Sequence, residues 1–141
     1  MRILTLLLAL ICTSAQAEQL IEQDGYRVHY AAMASRDFST KVARQYGLNQ
    51  SARSAVLILT SQKLVNGKPM PAAASATGTA RSFSGHVQTL ELRAVNENGA
   101  NDLLTEFEVL NGEVITFDLS ILPDGAKQPL VLKFQQTFYP D

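Results

Sequence analysis

Ile115-Thr-Phe-Asp-Leu-Ser-Ile121 alternates without a break, setting Ile115, Phe117, Leu119 and Ile121 against Thr116, Asp118 and Ser120. Successive side chains on a strand point to opposite faces. This period of two therefore predicts a strand with one face on a core and the other in water. Asn111-Gly112 before it and Pro123-Asp124-Gly125 after it are turn signals. Beyond the second turn, Leu130, Leu132, Phe134 and Phe138 predict a long closing strand.

Working back toward the amino terminus, the same rhythm persists. Leu103, Phe107 and Val109 alternate with Glu106 and Glu108, behind a polar, turn-like stretch from Asn96 to Asn101. Val87 to Val95 follows a Ser84-Gly85 turn and sets Leu90 and Leu92 against Glu91 and Arg93. Lys68 to Arg81 opens with Pro69 and Pro71, which cannot donate to a ladder and so mark a sheet edge or a strand start. Asn66-Gly67 is a hairpin-type turn, because both residues tolerate positive φ. Ser54 to Leu59 is nearly continuous in apolar character, as expected of a central strand covered on both faces. After Asp24-Gly25, Tyr26, Val28 and Tyr30 are expected inward, with Arg27 and His29 outward. Short strands punctuated by turns predict an all-β, antiparallel, immunoglobulin-like sandwich of about seven strands. One short helix interrupts it: Ser39 caps, Val42 and Tyr46 share a face, and Gly47 ends it. That helix is expected to connect the two sheets.

The first residues carry a different message. Met1-Arg2, the apolar run Ile3 to Ile11 and the small residues of Ala15-Gln16-Ala17 have the layout of a cleavable secretory signal. The run is far shorter than the roughly 20 residues of a permanent membrane span. The expected organisation is a signal peptide over residues 1–17 and one sandwich domain over residues 18–141, working in the periplasm. The single cysteine, Cys12, would leave with the signal, so no disulfide is available. Formal net charge is −1 with no basic block, which removes the electrostatic footprint of a nucleic-acid binder. No second apolar stretch is long enough to insert permanently in a membrane.

Reactive constellations are sparse. The two histidines, His29 and His86, with no cysteine beside them, do not make a zinc site, which takes three or four ligands. His29 with Met33 or Met70 is a conceivable soft copper site, without the clustering that would strengthen it. Ser84-Gly85-His86 places a serine near a histidine, but in a turn where serine and glycine belong anyway. A hydrolase would need these two and a carboxylate such as Asp118 to converge. Glu106 and Glu108 read as a solvated strand face, and Asn49-Gln50-Ser51 matches the glycosylation pattern only weakly. No cofactor is implied. Arg27, His29, Arg36, Arg44 and Arg53 are the candidate surface for a protein partner. The reading is a non-enzymatic binding or protein-interaction module; a copper carrier or ligand-binding sandwich, and a hydrolase, are the alternatives.

Five stretches together resemble a known family. They are Gly25-Tyr-Arg-Val-His-Tyr30, Val42-Ala-Arg-Gln-Tyr-Gly-Leu48 followed by Arg53-Ser54, Thr77-Gly-Thr-Ala80, Val114-Ile-Thr-Phe-Asp118 and Leu132-Lys-Phe-Gln-Gln-Thr-Phe-Tyr139. In this order they resemble the small exported proteins of Gram-negative bacteria grouped as domain of unknown function 4426. The likeness runs from Gln19 to Asp141. Thr40-Lys41 stands where such proteins have a Pro-Glu helix start, and Pro140 interrupts the last strand. The resemblance implies an exported β-sandwich and brings no activity, cofactor or catalytic residue with it.

Overall fold

A computed structural model describes residues 19–97 and 100–140. The signal-peptide expectation for residues 1–17 lies outside the described residues. Among the described residues, ten strands form two antiparallel sheets. The first sheet contains β1 (Leu20–Gln23), β2 (Tyr26–Ala34), β3 (Ser54–Val65), β8 (Ala100–Glu108) and β7 (Arg93–Glu97), in that order, with β4 (Lys68–Pro71) paired to β3 beyond the end of β8. The second is ordered β10 (Leu130–Phe138), β9 (Glu113–Pro123), β5 (Ala74–Ser82) and β6 (Val87–Glu91). The all-β antiparallel sandwich expected from the sequence is therefore the observed architecture.

The strand that decided the reading lies at the centre of the packing. Ile115, Phe117, Leu119 and Ile121 of β9 are buried, while β5 and β10 flank it on either side. Phe117 stacks on Phe134 with ring centroids 4.5 Å apart and meets Phe107 edge-on at 5.2 Å. Such pairs add roughly 0.5–1.5 kcal/mol to the burial of the rings. On the inner face of β5, by contrast, stand Ala76, Gly78 and Ala80. A methyl at Gly78 would collide with the Asp118 carbonyl oxygen and come within 2.9 Å of the Leu119 Cα. Small side chains on β5 thus let it lie hard against β9.

Three features raise the strand number above the expected seven. A first strand, β1, precedes the Asp24-Gly25 turn, whose residues both have positive φ. Pro69 and Pro71 begin no longer strand but occupy the short edge strand β4. The stretch Val87 to Val95 is two strands: β6 pairs with β5 in one sheet, and β7 pairs with β8 in the other. Leu92 is the crossing point, its N–H bonded to the Ala76 carbonyl at 3.2 Å. Alternation alone does not reveal such a switch, because the side-chain period continues through it.

The helix α1 (Thr40–Tyr46) is capped as expected: Ser39 Oγ accepts the Val42 N–H, and Gly47 is left-handed at φ 66°. Its expected role requires correction. It does not cross between sheets; it joins β2 to β3, which are neighbours in one sheet. Ala43 and Leu48 cover Val56 and Leu104 on the outer face. The reason is compositional. β3 is apolar on both faces, and Leu104 of β8 joins its Val56 and Ile58 on the outer one, so the side away from the sandwich needs its own cover.

Candidate functional site

Several chain connections meet at one end of the sandwich. The β5–β6 turn carries Phe83, Ser84 and His86, close to the start of β9 through the Ser82–Ile115 pairing. The β8–β9 connection carries Leu110, and Gly112 N–H donates to the Phe138 carbonyl at the end of β10. Arg53, just before β3, accepts the Val109 N–H at its carbonyl. Between these segments lies an open groove of about 640 Å³. Arg53, Glu106, Glu108 and Glu113 supply its charge and His86 an imidazole, while Phe107, Val109 and Leu110 supply apolar lining. Phe83 is 76% exposed, Tyr139 68% and Leu110 56%, so three large apolar side chains stand in water at this end.

The groove exists because the chain changes sheets between β6 and β7. β7 pairs with β8 only as far as Leu104, opposite Arg93. Beyond that residue, the outer edge of β8 is uncovered until Gln88 reaches back from β6. The Gln88 side-chain amide donates to the Glu108 carbonyl and accepts the Glu108 N–H, both at 2.8 Å. One side chain thus takes the place of a strand residue. Backbone groups alternate in direction along a strand, so the N–H and C=O of Glu106 point to the same side as those of Glu108. No strand among the described residues pairs with Glu106 on that side. Its side-chain carboxylate accepts the Asn49 N–H at 3.0 Å. Arg53, Glu108 and Glu113 have no ion-pair partner among the described residues.

The residues singled out from the sequence fall in different places. Arg27 and His29 are on the outer face of β2; Arg27 pairs with Glu22 at 2.6 Å, and His29 Nε2 lies 3.1 Å from Gln62 Oε1. Arg36 and Arg44 are exposed, on a 3-10 turn and on α1. Only Arg53 of the five lines the groove. Arg27 is level with Gln62 on β3 while Arg53 precedes that strand, a separation of about 30 Å at strand rise. Met33 lies four residues along the same face as His29, about 13 Å away by the same measure. Met70 pairs with Lys63, whose ammonium sits over the inward Tyr26 ring, and so faces the opposite side from His29. The structure brings neither methionine to His29. Among the described residues, no group of three His, Cys, Asp or Glu is placed to hold a metal ion.

Ser84 and His86 both line the groove, yet the Ser84 hydroxyl is bonded to Ser82 Oγ at 2.7 Å. Asp118 lies on the outward face of β9, 3.8 Å from Lys133 Nζ, and does not line the groove. Glu106 and Glu108, expected on a plain solvated face, stand instead at the groove. Sequence reasoning missed Phe83, Gln88, Leu110 and Glu113. The available signal was Phe83, an aromatic at a turn between two serines, where burial has nothing to offer it.

An antiparallel sandwich with an exposed, partly apolar groove at its loop end is the class that fold and site define. The chain belongs to the family described as "Domain of unknown function (DUF4426)", whose model matches residues 21–141. The crystal structure of a DUF4426 family protein from Pseudomonas aeruginosa PAO1 is similar at a TM-score of 0.74 and 29% identity, covering 90% of this chain and 98% of that one. A copper-bound variant of Campylobacter jejuni P19 is similar at a TM-score of 0.54 and 8% identity, covering 86% and 94%. The copper-reconstituted form of P19 gives 0.53 and 8%, covering 86% and 93%. At that identity the P19 likeness is one of fold. No curated protein matches the chain.

Proposed function

We propose that this protein is an exported, periplasmic, non-enzymatic module that binds a protein partner through the groove at the loop end of its sandwich. The observation that carries the proposal is the exposure of Leu110 in the groove, with Phe83 and Tyr139 also exposed on segments at the same end of the sandwich. Large apolar side chains standing together in water, beside polar groups able to orient a partner, mark interaction sites. The signal-like leader supports the compartment, and no described helix is long and apolar enough to cross a membrane. The separation of Asp118 from Ser84 and His86 supports a binding role over acyl-transfer chemistry.

The test is a photo-crosslinking amino acid placed at Phe83, Leu110 or Val131 in living cells. Val131 is 59% exposed but lies on the outer face of β10. A discrete adduct in the osmotic-shock fraction from positions 83 and 110, absent at 131, is the expected result. Adducts equally abundant at all three positions, or a protein retained in the cytoplasm, would overturn the reading.

A further inference from the structure

We propose that the overhanging β3–β4 hairpin docks this protein on an anionic lipid surface. The site lies at the far end of β3 from the groove and is built from different residues. Lys63 of β3 is opposite Tyr26, where β2 begins, and β8 pairs with β3 no further than Thr60. The last tie on the β2 side is the Leu64 N–H, which donates to the Gly25 carbonyl at 2.8 Å. Only β4 then runs beside the end of β3, so the Asn66-Gly67 turn projects past the sandwich. Lys63 is opposite Met70 and Val65 opposite Lys68, and these four side chains share one face of the hairpin.

That face combines apolar exposure with positive charge. Val65 and Met70 are 46% and 51% exposed. With Pro71 and Ala72 they line an open hollow of about 480 Å³, which Lys63 and Lys68 also line and no carboxylate does. Among the described residues neither lysine has an ion-pair partner. The adjoining hollow shares Lys63 and adds Lys127 and Asp24, so three lysines face one carboxylate across the two. The groove at the other end of β3 carries Glu106, Glu108 and Glu113 instead. An anionic surface therefore attracts the hairpin end and repels the groove end, leaving the groove turned away from the lipid. Lysine stems lie along apolar surface while their ammonium groups reach the headgroups, and Val65 and Met70 reach the acyl boundary.

The free edge of β4 argues against a strand as the occupant. Ala72 N–H donates to the Ser61 carbonyl at 3.0 Å. Backbone direction alternates along a strand, so Lys68 and Met70 also turn toward β3, and residues 69 and 71 turn outward. Both outward residues are proline, which leaves this edge no N–H to offer a second chain. What the hairpin presents is a side-chain surface of mixed cationic and apolar character, the kind that lipid interfaces take up.

The experiment floats protein purified from cells expressing the full chain with vesicles of phosphatidylethanolamine and phosphatidylglycerol, and with vesicles of phosphatidylcholine alone. Expected is flotation with the anionic vesicles only, reversed by added salt. Lys68→Gln should lower the partition coefficient about fivefold, the worth of one lysine near an anionic surface. Val65→Ser with Met70→Ser should lower it as well, with an unfolding midpoint close to that of the parent because both side chains are exposed. Lys41→Gln, which removes an exposed charge from α1, should leave it unchanged. No flotation, equal flotation with both kinds of vesicle, or a loss from Lys41→Gln as large as that from Lys68→Gln would overturn the inference. Binding of polyglutamate without binding of anionic vesicles would overturn it in favour of an acidic protein partner. Binding of soluble short-chain phosphatidylglycerol without binding of vesicles would overturn it in favour of a free amphiphile.

Discussion

Gly78→Ala is the most exacting perturbation of the fold. The added Cβ has no room on the inner side of β5: it meets the Asp118 carbonyl oxygen, the Leu119 Cα at 2.9 Å and a Leu119 side-chain carbon at 2.7 Å. Two of those atoms are backbone of β9, which is itself held by nine register pairs to β10. The obstacle therefore cannot rotate away as a flexible side chain would. Either β5 moves off β9 or β9 shifts with Phe117, which packs against Phe107, Phe134 and Phe138. Overpacking of a core costs about 1–3 kcal/mol, and a backbone obstacle places this site near ~3 kcal/mol. Against a total stability of roughly 5–15 kcal/mol, that is a large fraction. The expected fall in the thermal midpoint is about 10 °C for a chain of this size. Far-UV circular dichroism on heating, with urea unfolding as a second measure, reads it directly. Thr77→Ala, one residue away on the exposed face, serves as the control, with an expected change within about 0.5 kcal/mol. A Gly78→Ala protein that melts within about 2 °C of the parent would refute the close-approach argument.

Other changes probe separate parts of the structure. Phe117→Ala should cost about 3–5 kcal/mol in urea unfolding, since it empties the space between the two sheets. Gln88→Ala removes both bonds to the Glu108 backbone and should cost about 1–2 kcal/mol, with the Glu108 amide becoming fast in hydrogen exchange. Ser39→Ala should lose about 1 kcal/mol through the missing cap, read as faster exchange at Val42 and its helix neighbours. Arg27→Ala breaks an exposed pair with Glu22 and should change stability by less than about 0.5 kcal/mol, measured by the same unfolding assay.

What could be read from the residues was whatever is encoded locally. The alternation of Ile115 to Ile121, the Asn66-Gly67 turn and the Ser39-to-Gly47 helix all reappear, because each depends on side-chain period or on a conformation preferred by one residue. The apolar run from Ser54 to Leu59 even announced a strand covered on both faces. The identity of its cover did not follow, since only the pairing of β2 with β3 shows that the helix lies over one sheet. The sheet change at Leu92 escaped for a related reason: backbone pairing, not side-chain pattern, defines it. The groove is a product of that change. Its residues come from segments around Arg53, Ser82 to Gln88 and Glu106 to Glu113, and no motif joins them. Charges on separate segments, such as Arg27 and Arg53, looked alike as sequence and lie at different ends of β3.

The order of strands has a kinetic consequence. In the second sheet, β5 finds its main partner in β9, with Ala74 opposite Pro123 and Ser82 opposite Ile115. In the first, Ser54 of β3 lies opposite Glu108 of β8. Pairings between such remote segments place folding in the slow, millisecond-to-second regime of β-sandwiches. A growing chain cannot close its core before β9 has been made, because Phe117 and its neighbours hold the two layers together. Until then β5 offers small residues to the interior, among them Ala76, Gly78 and Ala80. The chain thus closes its core only when nearly its full length is available.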